Sequence, residues 1–268
     1  MIKTRMSRRD AILGGAAVAA TGLAAVWRPG AAVGFEPLPA VGAWPWPARG
    51  LDAVQTARGS TEGLSGCGGT SSGLLIAGLR KALPASAWTA LPLQLASFAN
   101  GGGPYGSDCG ALQGPLLVMS LAGAPPALRQ EFFGWYCGFA FPSPEWDDLY
   151  PLKATVRTVS HSPLCHESRA IWNTAYFGQA AKADGPDDTR CAKLTRDCVK
   201  KAVELLNAHR LTGYAGVWAP EEAYKACYDC HTGLEAKREP GAIHTGREDC
   251  TRCHAGVAPH GETGSKGT

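Results

Sequence analysis

Two short runs near the C-terminus, Cys227-Tyr228-Asp229-Cys230-His231 and Cys250-Thr251-Arg252-Cys253-His254, share the pattern C-x-x-C-H. Two thiols three positions apart can add to the two vinyl groups of one porphyrin. The histidine after the second thiol is then held beneath the ring, with its imidazole toward the iron. Chance is a poor explanation: with 10 Cys and 7 His in 268 residues, roughly 0.01 matches to this pattern are expected. The motifs therefore predict two haem c groups, attached at Cys227 and Cys230 and at Cys250 and Cys253, with His231 and His254 as proximal ligands. The rival is zinc. Nineteen residues separate Cys230 from Cys250, a spacing that suits the two knuckles of a four-cysteine ribbon. Such a ribbon, however, has no use for a histidine directly after both knuckles.

Five further histidines could complete the iron: His161, His166, His209, His244 and His260. His244 lies between the two motifs in a glycine-bounded stretch and is the first candidate. His209, just ahead of the motif-bearing segment, is the second, and His260 in the glycine-rich tail is the third. His166 follows Cys165 directly and reads as a neighbour of that sulfur rather than as a haem ligand. Met119 sits at core spacing in an apolar run and reads as packing.

Six cysteines remain: Cys67, Cys109, Cys137, Cys165, Cys191 and Cys198. Three disulfides are one reading, because the destination inferred below is oxidising. The settings of Cys67 (Ser65-Gly66-Cys67-Gly68-Gly69) and Cys109 (at the end of Gly101–Cys109, ahead of Gly110) point elsewhere. Glycine-flanked helix starts offer backbone N–H groups to a thiolate and let the backbone approach a cluster sulfide closely. Cys191 and Cys198 are about two helical turns apart and share a helix face, so one of them suffices as a ligand.

The chain opens with Met6-Ser7-Arg8-Arg9-Asp10 and an alanine-rich run to Val26. A twin arginine before a mildly apolar stretch predicts a Tat signal peptide over 1–34, hence a periplasmic protein with no stable membrane span once the signal is removed. Covalent haem c attachment is completed outside the bacterial cytoplasm, which agrees. The Tat route carries folded proteins, so it also implies that another cofactor is inserted before export. Removing 1–34 takes away Lys3, Arg5, Arg8, Arg9 and Arg28 together with Asp10, a net of four positive charges, so the formal +3 becomes −1. No basic surplus is left to recommend nucleic acid as a partner.

Residues 35–60 are Pro-, Gly- and Trp-rich without period and predict an extended arm anchored by its tryptophans. Over 61–212 apolar residues recur at helical spacing. One helix carries Leu74, Leu75, Ile76, Leu79 and Leu83. A second carries Leu116 to Leu121, which Pro115 should start or kink. A third spans Ala127–Phe139, and a fourth, capped by Asp187 or Asp188, runs to about Asn207. Strand signals are confined to Ala154–Ser160. Residues 213–268 are polar and glycine-rich and need covalent cofactors for apolar bulk. The fold class expected is mainly α: a helical, cysteine-rich domain followed by a small, irregular diheme c-type cytochrome segment.

The run Gly101–Gly114 with its following apolar helix, Ser162–Ser168 and Arg190–Thr195 leading into Val203–Asn207 resemble the redox family known by its C-GCAxxG-C-C cysteine pattern. With a twin-arginine leader before them and two C-x-x-C-H motifs behind, residues 60–260 are similar to the split-Soret cytochromes c. The resemblance implies a homodimer with stacked bis-histidine haems, one axial ligand crossing from the partner subunit, and an iron–sulfur cluster in the helical domain. Carried over by position, the cluster cysteines are Cys67, Cys109, Cys165 and Cys191. The first motif offers one cysteine where the family pattern has two, and Cys137 and Cys198 are additional.

The function expected is electron transfer or storage between that cluster and two haems, with unidentified donor and acceptor proteins. Two histidines per iron leave no open position for substrate, so an enzyme is the lesser reading: a five-coordinate haem that reduces a small molecule. A zinc or disulfide scaffold with no redox role is the third.

Overall fold

The computed structural model of the chain describes residues 42–179, 189–219 and Lys225. The predicted signal 1–34, the cap at Asp187 or Asp188, both C-x-x-C-H motifs, His244 and His260 lie outside the described residues.

Six α-helices order the described residues: α1 Ala53–Ala57, α2 Cys67–Ala82, α3 Gly110–Leu121, α4 Pro126–Gly138, α5 Cys165–Gln179 and α6 Thr189–Thr212. A two-residue antiparallel pair, β1 Ala140–Phe141 and β2 Thr158–Val159, joins Ala140 to Val159 and Phe141 to Thr158. The fold is mainly α, as its periodicity predicts. Helix α6 is the hub and packs on α1, α2, α3 and α4. Its apolar face, Leu194, Cys198, Val199, Ala202, Val203, Leu205 and Leu206, is buried with Leu74, Leu75, Ile76 and Leu79 of α2 and with Phe132 and Tyr136 of α4.

Two details differ from the sequence expectation. Residues 53–57 belong to the predicted arm yet coil into α1, because the Asp52 carboxylate caps it by accepting the Gln55 amide at 2.8 Å. Pro115 neither starts nor ends α3 but lies inside it. Gly114 before it has no Cβ to crowd the proline ring, which removes the usual objection to a helical residue at that position.

The arm is otherwise held as expected from Gly42 onward. Trp44 meets Trp88 edge-on at 4.9 Å, and the Trp44 amide donates to Leu121 O at 2.8 Å. Asn207 of α6 accepts from Trp46 Nε1 and from the Leu51 amide, each at 3.0 Å, and donates to Leu51 O at 2.7 Å.

Helices α2 and α3 cross through small residues. A Cβ added at Gly114 would stand 2.1 Å from Ser71 Oγ and 2.8 Å from both Gly68 O and Ser72 N. The two backbones are therefore nearly in contact, and they bring their N-termini together. After α6 the chain turns back as a strap over α4. Gly216 packs on Ala127, the Val217 amide donates to Glu131 Oε2 at 3.0 Å, and the Trp218 ring covers Gly134.

Candidate metal centre

All four cysteines carried over from the resemblance sit at helix starts. Cys67 opens α2, Cys109 is the N-cap of α3, Cys165 opens α5, and Cys191 lies in the first turn of α6. Their glycine settings foretell this for Cys67 and Cys109 alone. First-turn N–H groups favour thiolate over thiol.

Chain segments far apart in sequence deliver these residues. Segments 106–109 and 163–166 pair antiparallel: the Cys109 amide donates to Pro163 O at 2.9 Å and the Cys165 amide to Ser107 O at 2.8 Å. That pairing sets Cys109 beside Cys165. Cys67 is placed by the loop before α3. Asn100 Oδ1 accepts from the Gly68 and Gly69 amides at 2.9 and 3.0 Å, supplying the cap that Gly66 cannot. Gly101, Gly102 and Gly103 follow with φ of 66°, 74° and 63°. Three successive left-handed residues are open only to glycine at low cost. Their turn aims the Gly101 amide at Cys67 Sγ, 3.4 Å away. A Cβ at Gly110 would reach to 2.7 Å from the same sulfur, so glycine there keeps α3 close to the thiol.

The thiols set one another's protonation. Cys165 is held below the ordinary thiol range, first by its contact with Cys109, which outweighs burial and the charges of Cys67 and Cys191. Cys109 is pushed up to about 11, first by Cys165 and further by burial, although contacts with Cys67 and Tyr136 pull the other way. Cys67 is raised further, by its contact with Cys109 and then by burial. The order of ionisation is thus Cys165, then Cys109, then Cys67. Like charges in a buried space oppose each further loss of a proton, and a bound cation removes that opposition. None of the six described cysteines is in a disulfide.

In residue type these four cysteines fit an iron–sulfur cluster: Cys109 is in contact with both Cys67 and Cys165, and Cys191 is in electrostatic reach of Cys165. Among the described residues no three Cys, His, Asp or Glu side chains already form a site for a single ion. A cluster takes its ligands from separate directions and does not require that.

Of the other sequence candidates, His166 is turned away from sulfur. Its Nδ1–H donates to Gly106 O at 2.9 Å and its Nε2 lies 3.6 Å from Glu167. The expectation that it neighbours the cysteine site holds, but its hydrogen bond goes to backbone. His209, in the last turn of α6, donates Nδ1–H to Tyr214 O at 2.8 Å. With Nδ1 so engaged, a metal would be taken by Nε2. Met119 is fully buried core. Cys137 is half-buried in the last turn of α4, its carbonyl accepting the His161 amide at 2.9 Å. Cys198 is fully buried, its thiol raised well above normal by burial and then by the charge of Cys109.

Three residues at the site carry no marker of their own in the sequence: Tyr136, and Ser168 and Arg190, which lie inside the cysteine segments that carry the resemblance. The Tyr136 ring is fully buried, and its phenol faces the Cys109 thiol and the Ser168 hydroxyl. Only the folded arrangement of α4, α5 and α6 brings them together.

No protein-family model matches the chain. A segment of 105 residues is 30% identical to the split-Soret cytochrome c of Desulfovibrio desulfuricans, covering 38% of this chain and 35% of that relative. A solved structure described as a novel iron centre in the split-Soret cytochrome c from Desulfovibrio desulfuricans has the same fold. The TM-score is 0.64 at 24% identity, over 86% of this chain and 94% of that one. The resemblance read from the cysteine segments therefore stands, in sequence over that segment and in fold over most of the chain.

Proposed function

We propose that a chain with the fold of a split-Soret cytochrome c, two C-x-x-C-H motifs and this cysteine cluster is an electron-transfer protein. In this reading the haems are attached at Cys227/Cys230 and Cys250/Cys253, with His231 and His254 as proximal ligands and His244, His209 or His260 completing the iron. Cys67, Cys109, Cys165 and Cys191 hold an iron–sulfur cluster. Bound there, such a cluster would take up and release one electron at a time. The chain's own contribution is the enclosure: all four cysteines stand at helix starts, and the Gly101 amide points at Cys67 Sγ from 3.4 Å.

The observation that carries this reading is the set of thiols brought together at helix starts, Cys67 and Cys109 each raised first by contact with a neighbouring thiol and further by burial. A structural thiol trio has no need of that arrangement, whereas a metal-loaded one releases the thiol protons on binding. The twin arginine supports export by the Tat route to the periplasm, with the cluster inserted beforehand. Among the described residues no helix is long and apolar enough to cross a membrane. The likeness to split-Soret cytochrome c supports a homodimer.

The deciding experiment is compositional. Intact mass of the exported protein should exceed the apo chain by two haems. Total iron should exceed haem iron, with acid-labile sulfide in proportion, and Cys109→Ser should lose the excess while keeping the haems. Two haems with no non-haem iron, and disulfides mapped among Cys67, Cys109, Cys165 and Cys191, would refute the cluster. A colourless, zinc-containing protein would refute the whole reading.

A further inference from the structure

Arg190 is buried in the first turn of α6, next to Cys191. Its Nη2 donates to Ser168 Oγ at 2.8 Å and to Ser168 O at 3.1 Å, and its Nη1 lies 4.0 Å from Cys191 Sγ. The guanidinium also sits over the Trp172 ring at 6.0 Å. Among the described residues no carboxylate pairs with it, and its Nε–H is buried without an acceptor. Arg196, nearly two helical turns further along the same helix, offers a contrast. Arg196 is also buried, but its guanidinium is taken up by the Ala57 and Gly59 carbonyls and the Tyr150 phenol. Arg190 gives only Nη2 to Ser168 and places Nη1 4.0 Å from Cys191 Sγ.

Ser168 extends the contact. Its hydroxyl accepts from Arg190 and is faced by the phenol of Tyr136, whose oxygen is buried without a hydrogen bond of full geometry. The other neighbour of that phenol is the Cys109 thiol. A fixed positive charge beside Cys191 and a phenolic donor beside Cys109 thus flank the thiol set from two directions, joined through one serine.

We propose that Arg190 is the built-in counter-charge of the cysteine centre and that Tyr136 is a hydrogen-bond donor to its sulfur, together raising the centre's reduction potential. The inference rests on the cluster reading above and concerns these residues' action on it. Adding one electron adds one negative charge to the bound group. A nearby guanidinium and an O–H aimed at sulfur both stabilise that more negative state relative to the oxidised one. Both residues are positioning groups: neither exchanges an electron or a proton in the step.

The test uses the full-length, haem-loaded protein and four chains: wild type, Arg190→Gln, Arg190→Lys and Tyr136→Phe. Non-haem iron and acid-labile sulfide per chain test the cluster. The midpoint potential of the non-haem centre, followed by electron paramagnetic resonance, tests the inference. With iron retained, Arg190→Gln should disfavour reduction by at least about tenfold, a negative shift of about 59 mV for a one-electron couple. Arg190→Lys should fall between it and wild type, and Tyr136→Phe should shift in the same direction by less. Haem potentials and haem content should be unchanged. If Arg190→Gln loses the iron and Arg190→Lys keeps it, the charge is required and the inference stands. If both lose it, shape rather than charge is the requirement and the Arg190 assignment falls. Unchanged potentials in iron-replete Arg190→Gln and Tyr136→Phe would overturn the proposal while leaving the cluster intact. Wild-type protein without non-haem iron would refute the cluster reading itself, and this inference with it.

Discussion

Gly114→Ala tests whether the near-contact of α2 and α3 is a structural requirement of the thiol cluster. The added methyl would stand 2.1 Å from Ser71 Oγ, which can rotate away only by giving up its hydrogen bonds to Gly68 O and Gly110 O at 3.1 and 3.2 Å. Rotation does not help with Gly68 O and Ser72 N, both backbone atoms at 2.8 Å. Ordinary contact begins near 3.4 Å, so the helices must separate by about 0.6 Å at this point (3.4 less 2.8). Overpacking of this kind costs roughly 1–3 kcal/mol. The displaced serine adds about 1 kcal/mol, and the helix-propensity gain of alanine is offset by its Cβ crowding the Pro115 ring. The net loss is therefore roughly 2–4 kcal/mol, or roughly 4–16 °C in Tm for a chain of this size. Because α2 and α3 carry Cys67 and Cys109 at their starts, non-haem iron content should fall along with stability. Thermal unfolding followed by circular dichroism, with iron assay of the same samples, measures both. Gly178→Ala is the control: it is helical with no atom within 4 Å of the added Cβ, and should be neutral or stabilising by up to about 1 kcal/mol. Gly114→Ala as stable and as iron-rich as wild type would show that the crossing has slack and would undo this account of how the thiols are held together.

Asp147→Asn should destabilise by roughly 1–3 kcal/mol, discounted for the partial exposure of Asp147, because it leaves the fully buried Lys193 ammonium without its partner. Burial works against the Asp147 charge, but Lys193 and the Ala154 amide outweigh it and hold the carboxyl below 3.8. Its contribution is therefore present above pH 3.8 and lost as pH falls through the lowered value. Urea unfolding from pH 5 downward should show wild type losing this increment and the variant having none to lose. Asn207→Ala removes three hydrogen bonds to Trp46 and Leu51 and should cost roughly 2–3 kcal/mol. Limited proteolysis should then cut ahead of Ala53, with a red shift in tryptophan emission. Changing Arg8 and Arg9 together to Lys should leave precursor in the cytoplasm on cell fractionation; undiminished periplasmic yield would remove the case for a cofactor inserted before export.

Apolar periodicity was enough to read α2, α3, α4 and α6, because each has a run of large side chains on the face that the core covers. Helix α5 escapes that reading. Among its residues only Trp172 and Tyr176 are both large and buried, and they pack with Val156 in a small cluster of their own. Cys67 and Cys109 were legible as chemistry because cysteine beside glycine is unusual, and Cys165 and Cys191 through the resemblance, but the contacts that assemble them were not. They depend on the pairing of 106–109 with 163–166, whose signal is a loop with no strand character. Tyr136 reads as one aromatic among several in α4, and nothing in its spacing marks it as the one whose hydroxyl meets sulfur. Arg190 stands next to a flagged cysteine, yet nothing in its type or spacing sets it apart from Lys193 and Arg196, which α6 also buries.

The strap after α6 has a consequence for tunnelling distance. Helix α6 is 24 residues long, so Cys191 and Gly213 lie roughly 30 Å apart along its axis. An electron could not cross that length at a useful rate, since tunnelling falls off exponentially with separation. A haem segment continuing straight on from Thr212 would be insulated from the thiols by the very helix that holds the domain together. Instead the chain doubles back. Gly216, Val217 and Trp218 meet Ala127, Glu131 and Gly134 in turn, climbing α4 toward Tyr136 and the Cys109 thiol it borders. The first C-x-x-C-H cysteine is only nine residues beyond Trp218, so under the proposed reading this reversal, which ends on the thiol side of the domain, would keep the electron path short.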